Sequence, residues 1–137
     1  MHMHFDLMAL NWLAIVLATA SAFVLGGIWY GPVFGKQWMA EFGFNEEELT
    51  KSHPGKVFGA AILLTFIAAT VMAIIIGHDT NLHYGALWGF VIGFGPVAMF
   101  IGIHYTFERR SLKLFVINAL YPALSLVIMG AIIGAMA

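Results

Sequence analysis

Side chains able to do chemistry are few in this 137-residue chain, and they fall into two groups. The first is His104, Glu108, Asn118, Tyr121 and Ser125, joined by Trp29 and Tyr30 from an earlier segment. His104 and Glu108 are four residues apart, so on a helix the carboxylate can hold the imidazole in one tautomer or tune its protonation. Asn118, Tyr121, Pro122 and Ser125 follow the i, i+3, i+4, i+7 spacing of a single helix face, which makes them one polar stripe. Brought together, these residues would form a proton-sensitive or ligand-binding pocket. The second group is His2, His4, His78 and His83, with Asp6 and Asp79 beside them and Met1, Met3 and Met8 interleaved. Imidazole with thioether suits copper, and imidazole with carboxylate suits zinc or nickel, but no fixed ligand spacing ties the six together. The chain has no cysteine, no nucleophile beside a base, no paired carboxylates in an apolar run and no phosphate loop, so it is not expected to be an enzyme. No cofactor is implied.

The elements that must position these residues are set by where charge is missing. Of the residues, 61% are apolar and 9% charged, and the mean hydropathy is +0.91. A soluble domain carries about 25% charged residues. All six Lys and Arg and all seven Asp and Glu fall outside four segments, about 7–29, 57–77, 85–107 and 114–136. Each is long enough to cross the hydrocarbon layer as a helix, and lipid leaves a bare backbone no alternative partner. The expected fold is therefore an all-α membrane protein, four transmembrane helices in an antiparallel bundle within one domain. A net charge of −1 offers no basic surface for nucleic acid.

The cations also orient the chain. Lys36, Lys51 and Lys56 lie between spans one and two, and Arg109, Arg110 and Lys113 between spans three and four. The positive-inside rule places both loops, 30–56 and 108–113, in the cytoplasm and both termini outside, with a bacterial inner membrane the expected location. The first span reads as a true span rather than a cleaved leader. Its leading residues carry no Lys or Arg, and its apolar run continues past Ala18, Ala20 and Ala22.

Within the long loop Phe34, Trp38 and Phe42 recur every fourth residue, which predicts a helix lying at the headgroup level. Asn45 then resembles an N-cap, with Glu48 at the capping-box position and Glu46 and Glu47 favouring the helix start, so a second short helix is expected to reach about Ser52. The remaining loops are short, which predicts that spans two, three and four are sequential antiparallel neighbours. Gly27-Ile28-Trp29-Tyr30 and Gly102-Ile103-His104-Tyr105 hint at a parallel duplication of spans one and three.

Helices in lipid associate through small residues that let backbones approach. Ala14, Ala18, Ala22 and Gly26 form such a stripe on span one, Gly85, Gly89 and Gly93 on span three, and Gly130 and Gly134 on span four. Two outcomes are open: every seam is used inside the bundle, or one glycine face mediates self-association, most simply as a dimer. Pro96 and Pro122 each leave a carbonyl without its usual donor, so each is expected to kink its helix unless a neighbouring side chain fills the gap.

Several runs resemble the membrane family known as domain of unknown function 1761. They are Asn11-Trp12-Leu13-Ala14, the stretch from Ala22 through Gly26-Gly27-Ile28-Trp29-Tyr30-Gly31-Pro32-Val33-Phe34-Gly35-Lys36 with Trp38-Met39, Glu46-Glu47-Glu48-Leu49, Leu114 to Tyr121, and Met129 to Gly134. The resemblance covers nearly the whole chain and implies a small four-span membrane protein, without an assigned activity. It marks Asn11, Trp29, Tyr30, Pro32, Asn118 and Tyr121 as motif positions, while Pro122 stands where that family is expected to carry a polar residue.

Two functions lead the expectations, with a metal-binding outer face around His2, His4, His78 and His83 as a third. One is a homo-oligomeric permease-like or small-ligand-binding protein that works through an inner-half pocket around His104, Asn118 and Tyr121. The other is an accessory subunit that packs on a partner through a glycine face and has no substrate. A plainer reading of the same residues also stands: Trp and Tyr form the interfacial belt, and buried Asn and His bridge helices. The first span carries no carboxylate, which removes the proton-coupled antiport chemistry that a buried acid there would support.

Overall fold

The computed structural model describes residues 9–42 and 54–137. Among them every element is helical: α1 (Trp12–Ile28), α2 (Gly35–Phe42), α3 (Pro54–Ile76), α4 (Leu82–Ile92), α5 (Ala98–Phe107) and α6 (Leu112–Ala135). Two π-turns, Trp29–Val33 and Gly93–Val97, extend α1 and join α4 to α5. Four stretches are long and apolar enough to cross a membrane: Trp12–Val33, Gly55–Ile76, Leu82–Phe107 and Leu112–Ala135. The protein is an integral membrane protein. Its first helix starts later than the charge-free run, because the Asn11 side chain caps it by accepting from the Ala14 amide at 3.2 Å. The same side chain donates to the Met136 carbonyl at 3.0 Å and so ties the start of α1 to the end of α6.

The bundle is built around α6 rather than as a ring. It packs against α1, α3, α4 and α5, while α3 and α4 meet only sparingly despite their short connection. The expectation of sequential neighbours holds for spans three and four, where α4 packs closely on α6. It does not hold for spans two and three, because a short loop fixes only the helix ends and the small residues decide which faces close. Ala14, Ala18 and Ala22 of α1 are buried with Ala69, Met72 and Ala73 of α3 and Met129 and Ile133 of α6 in one apolar core.

On its other side α6 meets α4 backbone to backbone. A Cβ at Gly85 would lie 1.9 Å from the Gly130 carbonyl oxygen, one at Gly89 2.0 Å from that of Leu126, and one at Gly134 2.2 Å from that of Asn81. Gly93 faces Ala123, and Gly26 lies against the Tyr121 ring. Every small-residue stripe seen in the sequence is therefore closed within the chain.

The two prolines of the spans behave differently. Residue 95, preceding Pro96, is pushed to φ −84°, ψ −106°, outside helical space, which glycine accommodates at no Cβ cost. α6 instead runs unbroken through Pro122, and the Trp29 indole donates to the Ile117 carbonyl at 2.9 Å, beside the carbonyl that the proline deprives of a donor. At the end bearing α2, Ser111 caps α6 by accepting from the Leu114 amide at 3.1 Å and donates to Glu41 at 2.5 Å, fastening α2 to the start of α6. Of the aromatic triplet foreseen on α2, Phe34 packs on Trp29 and Trp38 on Tyr30, so both rings turn toward the π-turn that extends α1. The expected helix from Asn45 to Ser52 lies outside the described residues.

Candidate functional site

The polar stripe of α6 faces a groove between α1, α3 and α6. Its wider part is a cavity of about 870 Å³, walled by Phe23, Gly27, Val57 and Phe58 and floored by Tyr30, Asn118 and Tyr121. Past Tyr121 and Pro122 lies a second cavity of about 270 Å³, lined by Thr65, Ala68, Ser125 and Met129 among others. The two share Tyr121 and Pro122 on their walls and so follow one another along the stripe. None of the described residues lining them is charged. Val57 and Phe58 of α3, on its wall, are each more than half exposed among the described residues.

Asn118 is the hub of its floor. Its Oδ1 accepts from the Tyr30 hydroxyl at 2.6 Å, and its Nδ2 donates to the Tyr105 hydroxyl at 2.7 Å. One Asn118 amide hydrogen is then left over, as an amide nitrogen carries two. Tyr121 donates to the Ala22 carbonyl at 2.8 Å and meets Tyr30 edge to face at 5.3 Å, and Tyr30 in turn meets Trp38 at 5.6 Å. These bonds fix three phenols on a rigid frame. Ser125 is 5% exposed, and its Oγ makes no hydrogen bond of strict geometry; the Tyr121 phenol, one turn away, is its polar neighbour. A third cavity of about 480 Å³ lies on the far side of α6, with Tyr105, Thr106, Arg110 and Ser111 on its wall. The Tyr30–Asn118–Tyr105 chain therefore spans α6 from one cavity to the other.

His104 does not join this set. It is exposed on the outer side of α5 and makes no side-chain hydrogen bond among the described residues, and Tyr105 occupies the place foreseen for it. The cause is the π-turn. On an uninterrupted helix the face of Gly85, Gly89 and Gly93 returns at residues 97, 100 and 104, but one extra residue in the turn rotates everything beyond it by about 100°. The inward face becomes Ala98, Gly102 against the Phe115 ring, and Tyr105.

Glu108 is likewise displaced. It pairs with Arg110 at 3.6 Å, and its link to His104 is only the backbone bond from its amide at 3.0 Å. The chain turns away there through a Schellman pattern, with Arg110 and Arg109 amides donating to the Tyr105 and Thr106 carbonyls and Arg109 at φ 57°. Trp29 braces the floor from behind through Ile117 without lining the groove. Tyr105, absent from the candidate ligand set, joins it here; the Gly27–Tyr30 and Gly102–Tyr105 likeness pairs it with Tyr30, and both tyrosines hold Asn118. A second likeness went unread: Gly31-Pro32-Val33 and Gly95-Pro96-Val97 each fall in a π-turn.

Of the histidines considered for metal, His2 and His4 lie outside the described residues. His78 and His83 are exposed around the α3–α4 turn, and no group of three His, Asp or Glu able to hold an ion occurs among the described residues. A family model described as "Protein of unknown function (DUF1761)" matches residues 13–134. No curated protein and no solved structure matches the chain.

Proposed function

The chain belongs to the protein family of unknown function DUF1761, and for it we propose a small-ligand-binding, permease-like role centred on the groove between α1, α3 and α6. The observation that carries this is the 870 Å³ cavity with Tyr30, Asn118 and Tyr121 converging on its floor. Its volume is in the roughly 300–1,000 Å³ range of ligand sites, and apolar walls with a few fixed polar groups are their usual chemistry. Binding or passage of a solute fits this better than catalysis, since the groove holds no nucleophile beside a base. The π-turns at both Gly-Pro-Val sequences supply places where α1 and the α4–α5 rod can bend.

Orientation belongs to the same proposal. Lys36, Lys56, Arg109, Arg110 and Lys113 all sit at the α2 end, so the positive-inside rule puts the wide part of the groove in the cytoplasmic half and Asn11 and Met136 outside. The accessory-subunit reading rested on a free glycine face, and those faces are closed within the chain. A dimer would be built on outer apolar surfaces such as that of Met99, Phe100 and Ile103.

Gly27 gives the test. A Cβ there would meet nothing within 4 Å, yet Gly27 lines the groove, so Gly27→Phe fills the cavity without disturbing a helix seam. Native mass spectrometry of the protein released from detergent is expected to show a discrete bound species on the wild type that G27F loses. A bare wild type, or the same species on both, would contradict the reading.

A further inference from the structure

The chemistry of the groove narrows what it holds, and this step rests on the binding role just proposed. Hydrogen-bond capacity remains at three points along one face of α6. They are the second Asn118 amide hydrogen, the Tyr121 oxygen and the Ser125 hydroxyl, which is 95% buried, has the Tyr121 phenol as its polar neighbour and makes no hydrogen bond of strict geometry. A buried hydroxyl without a well-placed partner is costly in an apolar setting, so an occupant that bonds it is favoured there. Asn118 and Ser125 are seven residues apart, about 10 Å along the helix, and the apolar lining continues another turn to Met129.

The occupant must therefore be elongated, and apolar over most of its length. It must also be uncharged, because neither cavity has an ionised side chain among the described residues to meet a headgroup charge, and the desolvation of an ion would go uncompensated. Entry from the bilayer follows from the exposed wall at Val57 and Phe58.

We propose that the groove holds one uncharged single-chain amphiphile taken from the lipid. Its oxygen-bearing head lies at Asn118 and Tyr121, and its chain passes Pro122 and Ser125 toward Met129. The chemical class is that of a neutral long-chain ester or alcohol, and it excludes the carboxylate of the same chain length.

The test uses the full chain in phosphatidylcholine vesicles with a monoacylglycerol carrying a diazirine in mid-chain and a terminal alkyne. After illumination, labelled peptides are mapped. Labelling is expected on Phe23–Gly31, Val57–Ala68 and Asn118–Met129, and far less on the equally apolar outer residues Leu87, Met99 and Phe100. Unlabelled monoacylglycerol should reduce it at least fivefold, and the matching fatty acid at pH 8 should not. Ser125→Ala should weaken capture about fivefold, and Gly27→Phe should abolish it. Gly31→Phe, whose Cβ also meets nothing within 4 Å, is the second plug if the first variant does not fold.

Uncompeted labelling spread over all four spans would overturn the proposal, as would equal competition by the fatty acid. If the groove stays unlabelled while native mass spectrometry still shows a species lost in G27F, the amphiphile fails and the binding role stands. If both experiments are blank, both fail.

Discussion

One substitution made at two glycines should have opposite effects. At Gly89 a new Cβ would sit 2.0 Å from the Leu126 carbonyl oxygen and 2.5 Å from its carbon. Both are backbone, so no side chain can swing away, and α4 must retreat by roughly 1.4 Å to restore ordinary contact. A gap of 0.5–1 Å already forfeits about a quarter to a half of each dispersion contact, and lipid offers no hydrophobic effect to replace it. Overpacking of this kind costs about 1–3 kcal/mol, set against at most about 1 kcal/mol gained from the better helix propensity of alanine. Gly27 meets nothing within 4 Å, so Gly27→Ala keeps the gain alone. Gly89→Ala is therefore expected to lose about 1 kcal/mol net and Gly27→Ala to gain up to about 1 kcal/mol. Reversible unfolding in bicelles by steric trapping reads both. Equal stabilities for the two variants would refute the claim that the α4–α6 seam is closed by backbone contact.

Other predictions test the site and its supports. Asn118→Leu removes two hydrogen bonds at once and strands two phenols, so a loss of about 1–3 kcal/mol is expected in the same assay, with Tyr30→Phe costing less than half as much. Deleting Pro96 takes out the extra residue of the π-turn and the missing amide together. It should leave a folded chain in which Asn118→Leu costs as much as in the parent, whereas a near-zero cost would show that Tyr105 had rotated away. Ser111→Ala loses a helix cap and the tie to Glu41, for about 1 kcal/mol and faster tryptic cleavage at Lys36; unchanged cleavage would detach α2 from this account. The chain has no cysteine, so single cysteines at Lys36 and Leu82 report topology directly. A membrane-impermeant maleimide on intact cells should reach only Leu82→Cys, and labelling of only Lys36→Cys would invert the orientation.

How far the sequence predicts the molecule depends on how regular each helix is. The spans are legible because charge is excluded from lipid so strongly that the gaps between charges mark them. The stripe Asn118, Tyr121, Pro122, Ser125 is legible because α6 keeps one helical phase from end to end, even through Pro122. His104 is misplaced for the converse reason. One added residue at Gly93–Val97 changes the phase, and no count of i+4 steps from Gly85 registers it. Glu108 fails because it sits in the terminal turn, where the chain leaves the helix and Arg110 is the nearer partner. The central place of α6 was also hidden. Small residues announce a seam but not its partner, and only the shapes of both faces decide that Gly85 meets Gly130.

The most direct test is a density map of the chain in a lipid nanodisc, held by an antibody fragment against an outer loop. The account predicts a continuous rod of non-protein density between α1, α3 and α6, beginning beside Tyr30 and Asn118 and ending near Met129. A groove closed by inward movement of Phe58 and Tyr121, or filled only by density indistinguishable from the surrounding lipid ring, would contradict it.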